Sequence, residues 1–160
     1  MRPLHLFFDM DYTILAMDGS LRPRVPEVFR RLREDGHTVH IWSGMGVRWR
    51  EVERHGLAPL VAGVYEKPLS DYRNAVLRLV EQGRIPRFPD LVIDDYPEIV
   101  AALGGVVVRP YFWPNPNDTE MERVYRLIAE WATNGHTTDH SFRSPPSLEA
   151  PCPSASSPPR

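Results

Sequence analysis

The sequence predicts an α/β protein: a doubly wound, mostly parallel five-stranded sheet flanked by helices. Three observations carry this expectation. Five short apolar runs rich in β-branched or aromatic residues alternate with amphipathic segments of helical period, the pattern of repeated β-α units. Glycines stand where the amphipathic segments end, at Gly36, Gly56, Gly83 and Gly104-Gly105, as helix C-termini favour. The 160 residues are 42% hydrophobic and 25% charged, which suits one soluble domain with a core of ordinary size.

Residues 4–8 read as the first buried strand, followed by 38–42, 61–64, 91–93 and 105–108. The first helix spans 26–35, with Pro26 near its start and Val28, Phe29 and Leu32 on one face. A second covers 45–55. Ser70 is the expected cap of a third, 71–82, which carries Tyr72, Ala75, Val76, Leu79 and Val80 inward. A short fourth covers 96–103. Thr119 and Glu122 suggest a capping box for a last helix through Ala132. Residues 14–23 break the alternation: Asp18-Gly19 is a two-residue hairpin signal, read either as a small flap over the sheet or as a plain connecting loop. The folded domain is thus 1–132. Six of the 17 prolines fall in 133–160, and that segment reads as a disordered Pro/Ser-rich tail with too few large apolar residues to offset ordering entropy.

Composition also excludes classes. A net charge of -2 argues against nucleic acid or anionic membrane as the main partner. No apolar run reaches the roughly 20 residues that span a bilayer, and residues 1–30 lack the layout of a signal peptide; the expectation is a cytoplasmic protein. The single Cys152 leaves no internal disulfide framework. Of 19 basic residues, only Lys67 is lysine.

Polar residues become informative at the strand ends. The first strand runs into Asp9-Met10-Asp11-Tyr12-Thr13 and the fourth into Asp94-Asp95. Paired carboxylates at the edge of a core repel unless a cation or proton joins them, which suggests a hard metal; the plainer alternative is that each acid caps the next turn. Asp9 and Asp11 can face the same side while Met10 points away. The second strand ends in Ser43-Gly44, able to hold a phosphate oxygen at a helix start or to serve as an ordinary cap. Lys67 follows the third strand. Among arginines, a lone lysine suggests a place where a compact ammonium, rather than a planar guanidinium, must fit.

These residues resemble the motifs of the haloacid dehalogenase-like (HAD) superfamily of phosphohydrolases. An apolar strand then D-x-D-x-T matches residues 8–13, a strand ending in serine matches 39–43, Lys67 matches the third motif, and a strand ending in paired acids matches 91–95. The resemblance covers residues 4 to about 110 and implies a Rossmann-like core. It implies Asp9 as nucleophile forming an aspartyl-phosphate and Asp11 as general acid, then base. Mg²⁺ would be held by Asp9, the Asp11 carbonyl and Asp94, with Asp95 as a further acid of that shell. Ser43 and Gly44 would bind phosphate, and Lys67 would restrain Asp9 and offset transition-state charge.

Many members carry a cap domain. Asp11 and Ser43 are 32 residues apart and Ser43 and Lys67 are 24 apart, intervals without room for one. The site is therefore expected to be open, accepting a phosphorylated small molecule or protein side chain, unless a neighbouring subunit covers it. Arg48, Arg50 and Arg54, and residues 111–114, could grip substrate; equally they read as a solvated helix face and as aromatic packing against the last helix. The expected activity is a magnesium-dependent phosphomonoester hydrolase. The alternatives are a phosphotransferase, a nucleic-acid end-phosphatase or a non-catalytic interaction domain.

Overall fold

The computed structural model describes residues 1–147. Five parallel strands, β1 (His5–Asp9), β2 (Thr38–Ser43), β3 (Gly63–Glu66), β4 (Leu91–Asp94) and β5 (Gly105–Val107), alternate with α1 (Val25–Glu34), α2 (Trp49–Arg54), α3 (Tyr72–Glu81) and α4 (Pro97–Leu103). A longer helix, α5 (Glu120–Asn134), follows β5. Successive residues of β1 face opposite layers. Phe8 joins Ile41, Ile93 and Val106 against α1, α2 and α5, whereas Phe7 joins Trp42 and Val92 against α3 and α4. With both faces covered the strands are mostly apolar, as is usual for parallel strands, with His40 of β2 a buried exception.

The expected strand count is corrected. A sixth strand, β6 (Phe142–Arg143), pairs antiparallel with β5, so the sheet has six strands rather than five, in the order β3-β2-β1-β4-β5-β6. It comes from the segment assigned to a disordered tail. The average over that segment conceals one well-placed aromatic: Phe142 is buried, its ring 4.9 Å from that of Trp131, and Arg123 ties Ser141 and Asp139 to the Val107 carbonyl. The rest of the expected tail, 148–160, lies outside the described residues.

Local boundaries differ for identifiable reasons. The second helix begins at Trp49 instead of residue 45, because Gly46 at φ 100° interrupts it. β3 begins two residues late, after a 3₁₀ turn at Ala58–Leu60. Ser70 does not cap α3; Asp71 occupies that position without a side-chain bond to the helix amides. No capping box forms on α5 either. Asp118 Oδ1 accepts the Glu120 N–H at 3.1 Å, and Glu122 turns to Arg24 and Arg31.

Residues 14–23 form a pinned flap rather than a free loop. Leu15 bridges both Asp11 and Leu21, Gly19 adopts φ 82° at the tip, and the Met17 N–H donates to the Phe112 carbonyl at 2.9 Å. Among the described residues, no helix is long and apolar enough to cross a membrane.

Candidate active site

The chain winds from β1 through β2 to β3, then returns to place β4 on the other flank of β1. Such a reversal opens a crevice outside the carboxyl ends of the two strands at the switch. Both strands finish in acids there. Asp9 ends β1 at 5% exposure and Asp94 ends β4 at 0%, with Asp95 next in chain. One carboxylate oxygen from each of the three lies within 4.8 Å of the others.

Lys67 reaches them from β3. Its N–H donates to the Ser43 carbonyl at 2.9 Å, which extends the ladder between β2 and β3 by one residue. The ammonium Nζ then donates to Asp9 Oδ1 and Asp94 Oδ2, both at 2.9 Å. One positive charge thus serves two buried carboxylates, and it is not enough. Burial, then the Asp94 charge, push the Asp9 carboxyl up to about 8 despite Lys67. Asp94 is also raised, chiefly by burial. For Lys67, burial opposes the charged form, but the charges of Asp9 and Asp94 prevail and hold it above its ordinary value.

A sharp turn after β1 supplies a fourth group. Tyr12 takes the left-handed conformation at φ 65°, and the amides of Thr13, Ile14 and Leu15 converge on the Met10 carbonyl. This turns the Thr13 hydroxyl back toward the acids, 3.1 Å from Asp9 Oδ2 and 3.3 Å from Asp95 Oδ1, while it accepts the Asp95 N–H at 3.2 Å. Beneath the turn, buried Arg22 donates to the Thr13 and Arg109 carbonyls and grips Asp118 with two nitrogens at 2.8 and 3.0 Å.

Asp11 faces the same cleft as Asp9, and Met10 is buried in the opposite core layer. Its partner is Arg48, whose Nη1 donates to Asp11 Oδ2 at 2.5 Å and lies 3.5 Å from Ser43 Oγ. Ser43 Oγ accepts the Met45 N–H at 3.1 Å. The helix start expected behind Ser43-Gly44 is displaced: residues 44–48 form a loop, and α2 begins only at Trp49.

All seven expected residues, Asp9, Asp11, Ser43, Gly44, Lys67, Asp94 and Asp95, line one open cleft of about 420 Å³. Arg50 and Arg54 instead lie exposed on α2. Tyr111 is buried with its ring against Arg22, and Phe112 packs on Tyr12 at 5.0 Å, so this loop braces the turn after β1 rather than the last helix alone. A larger hollow of about 860 Å³ between β5, β6 and α5 shares only Asp95 with the site, and its buried Glu120 is already paired with Arg109 and Arg123. Sequence reasoning missed Thr13 and the Arg48 contact. The signal for Thr13 was its place in the first motif; Arg48 was a candidate substrate grip by its place after the second motif, but its pairing with Asp11 left no signal without the loop.

The donor set fits a hard divalent cation. With all four carboxylates ionised, two cationic groups would leave two negative charges in excess around oxygen-only ligands, as Mg²⁺ favours.

No protein-family model matches the chain. No curated protein matches it either. Among solved structures it is similar to the NMR structure of the core domain of a candidate phosphoglycolate phosphatase from Streptococcus pneumoniae TIGR4, at a TM-score of 0.45 and 16% identity over 61% of this chain and 69% of that one. A likeness that loose carries no argument about this chain.

Proposed function

We propose that the protein is a magnesium-dependent phosphomonoester hydrolase of HAD type, working through an aspartyl-phosphate in an uncapped cleft. The observation that carries this is the Lys67 ammonium bonded at 2.9 Å to both strand-end acids, Asp9 and Asp94. A structural salt bridge would match one charge with one. Here one lysine serves two of three clustered acids at the switch point of the sheet, an arrangement suited to receiving a cation and a phosphate together.

The chemistry assigned to each residue follows from its contacts. Asp9 is the nucleophile: its carboxylate attacks phosphorus in line, forming an acyl-phosphate bond as the phosphorus–oxygen bond to the leaving alcohol breaks. Lys67 and Thr13 hold the Asp9 oxygens, which fixes the direction of attack. Asp11 gives its proton to the leaving oxygen, then takes one from the water that hydrolyses the acyl-phosphate, regenerating Asp9 and releasing inorganic phosphate. Arg48 sits on Asp11 within reach of Ser43; a phosphate held by Ser43 and the Gly44 amide competes for that guanidinium and frees Asp11. Mg²⁺, held by Asp9, the Asp11 carbonyl, Asp94 and Asp95, would neutralise charge on the phosphoryl oxygens. Lys67 offsets the charge that develops between Asp9 and phosphorus.

The decisive experiment is a phosphomonoester panel assayed with Mg²⁺ and with chelator. Turnover is expected only with the metal and is abolished in Asp9→Asn. No turnover of any ester would overturn the assignment.

A further inference from the structure

We propose that the cleft selects phosphate esters whose alcohol carries an apolar body of about one ring, and discriminates against sugar-like or multiply charged alcohols. This rests on the hydrolase function proposed above and deepens it. The floor and the walls of the cleft differ in chemistry. Acids, Ser43 and Lys67 make the floor; Met45, Leu69, Tyr72, Tyr96 and Ile99 make the walls. Leu69 lies directly over the floor: a Cβ on Gly44 would come within 2.6 Å of its Cδ2. That same side chain is 73% exposed, so it stands at the mouth with its outer surface free.

The surface pattern is concentrated in one region. Of the ten large apolar side chains exposed among the described residues, all but Met1 and Leu77 belong to segments that directly follow the carboxyl ends of β1 to β5. Scattered single apolar residues are ordinary, but three of these, Met45, Leu69 and Tyr96, also line the cleft, and an apolar collar on one cleft marks a binding surface. Its continuity with the acid floor identifies the occupant as whatever is attached to the bound phosphate. A volume of about 420 Å³ lies at the small end of ligand pockets, enough for a phosphate and a ring. What the walls lack also matters. Among the described residues no Asn, Gln or His lines the cleft, and both cations that reach it are committed, Lys67 to Asp9 and Asp94 and Arg48 to Asp11 or the bound phosphate. A polyhydroxylated alcohol would find little beyond two phenol groups to replace its hydration, and a second anionic group would find no counter-charge.

The test compares 2-phenylethyl phosphate with glycerol 1-phosphate, two alkyl esters of similar leaving-group reactivity, on the full chain with Mg²⁺. The expected kcat/KM ratio is at least about tenfold in favour of the phenylethyl ester, falling toward one in Leu69→Ser and Tyr96→Ser, both exposed positions where folding is retained. Hydrolysis of both esters at equal rates overturns the selectivity and leaves the hydrolase standing. Absence of turnover with either, or with any phosphomonoester, removes the hydrolase itself. Sedimentation of the same samples covers the other occupant: a dimer that dissociates in Leu69→Ser, with the ester ratio unchanged, overturns the proposal and assigns the collar to a second copy of the chain.

Discussion

Lys67 is the residue on which the site's electrostatics turn, because its two carboxylate bonds at 2.9 Å leave no slack for a different head group. An arginine would keep the charge but replace a compact ammonium with a planar fork too large for the gap between Asp9 and Asp94. Lys67→Arg should therefore lower kcat by about 10²-fold, the order seen when a charge-stabilising donor is lost from a reacting centre; steady-state kinetics at saturating Mg²⁺ measures this, and near-normal kcat would show that charge alone suffices. Arg48 poses a different question, since it touches Asp11 and Ser43 but neither Asp9 nor Asp94. If it passes from Asp11 to the substrate phosphate, Arg48→Ala weakens binding of phosphate itself. The expected signature is a rise in both KM and the inhibition constant for inorganic phosphate of roughly tenfold, the worth of one charge-assisted hydrogen bond. An unchanged inhibition constant would confine Arg48 to Asp11.

At the scale of elements, the turn after β1 and the start of α5 are held by one side chain. Arg22 is 1% exposed, yet it binds two carbonyls and both oxygens of Asp118. Removing a buried partner leaves a charge unpaired, so Arg22→Met should destabilise the fold by about 3 kcal/mol in urea titration, and Arg22→Lys should recover little because it cannot bridge two oxygens in a fork. Phe142→Ala should cost roughly 3 kcal/mol by the same measurement, through loss of the ring that seats β6; an unchanged midpoint would return 133–147 to the status of a dispensable tail. These two elements also mark the limit of what the amino-acid pattern discloses. Asp9, Asp94, Ser43 and Lys67 were legible because a polar residue at the end of an apolar run becomes, in a parallel sheet, a residue on one shared edge. Contacts made by Arg22, Arg48 and Thr13 were not. They depend on left-handed backbone at Tyr12 and Gly46, conformations that are settled by packing across the molecule and leave no local periodicity. β6 escaped for a related reason: its pairing is with a strand more than 30 residues earlier, and the surrounding composition is that of a linker.

Across the whole molecule, the same excess of negative charge that suits a cation should destabilise the protein without one. In the metal-free fold Asp9 and Asp94 hold protons more tightly than their ordinary carboxyl value of 3.8, both because of burial first, with the Asp94 charge next for Asp9, which rises to about 8, and the Asp95 charge adding to the rise of Asp94. The folded state then binds more protons than the unfolded state above that ordinary value, so stability falls as pH rises toward 8. Three histidines act in the opposite sense. His5, His37 and His40 are lowered from 6.5, chiefly by burial, His40 to about 4; they resist protonation in the fold, so their contribution makes stability rise with pH until about 6.5 and then stops. Asp118, Glu120 and Asp139 are lowered by their hydrogen-bond and ion-pair partners and weaken the fold only in acid, below their ordinary carboxyl range. The acid cluster alone remains between about pH 6.5 and 8. There each proton released costs up to about 1.4 kcal/mol per pH unit, so a total near 2 kcal/mol should lower Tm by roughly 4–8 °C in chelator. Mg²⁺ binds the ionised carboxylates and should remove that decline, stabilising the protein more at pH 8 than at pH 6.5. Thermal melts across this window, with chelator and with Mg²⁺, read the effect without any substrate. A Tm in chelator that stays level from pH 6.5 to 8, or an Mg²⁺ increment that does not grow with pH, would mean that Lys67 alone satisfies the three acids and that the cluster is no metal site.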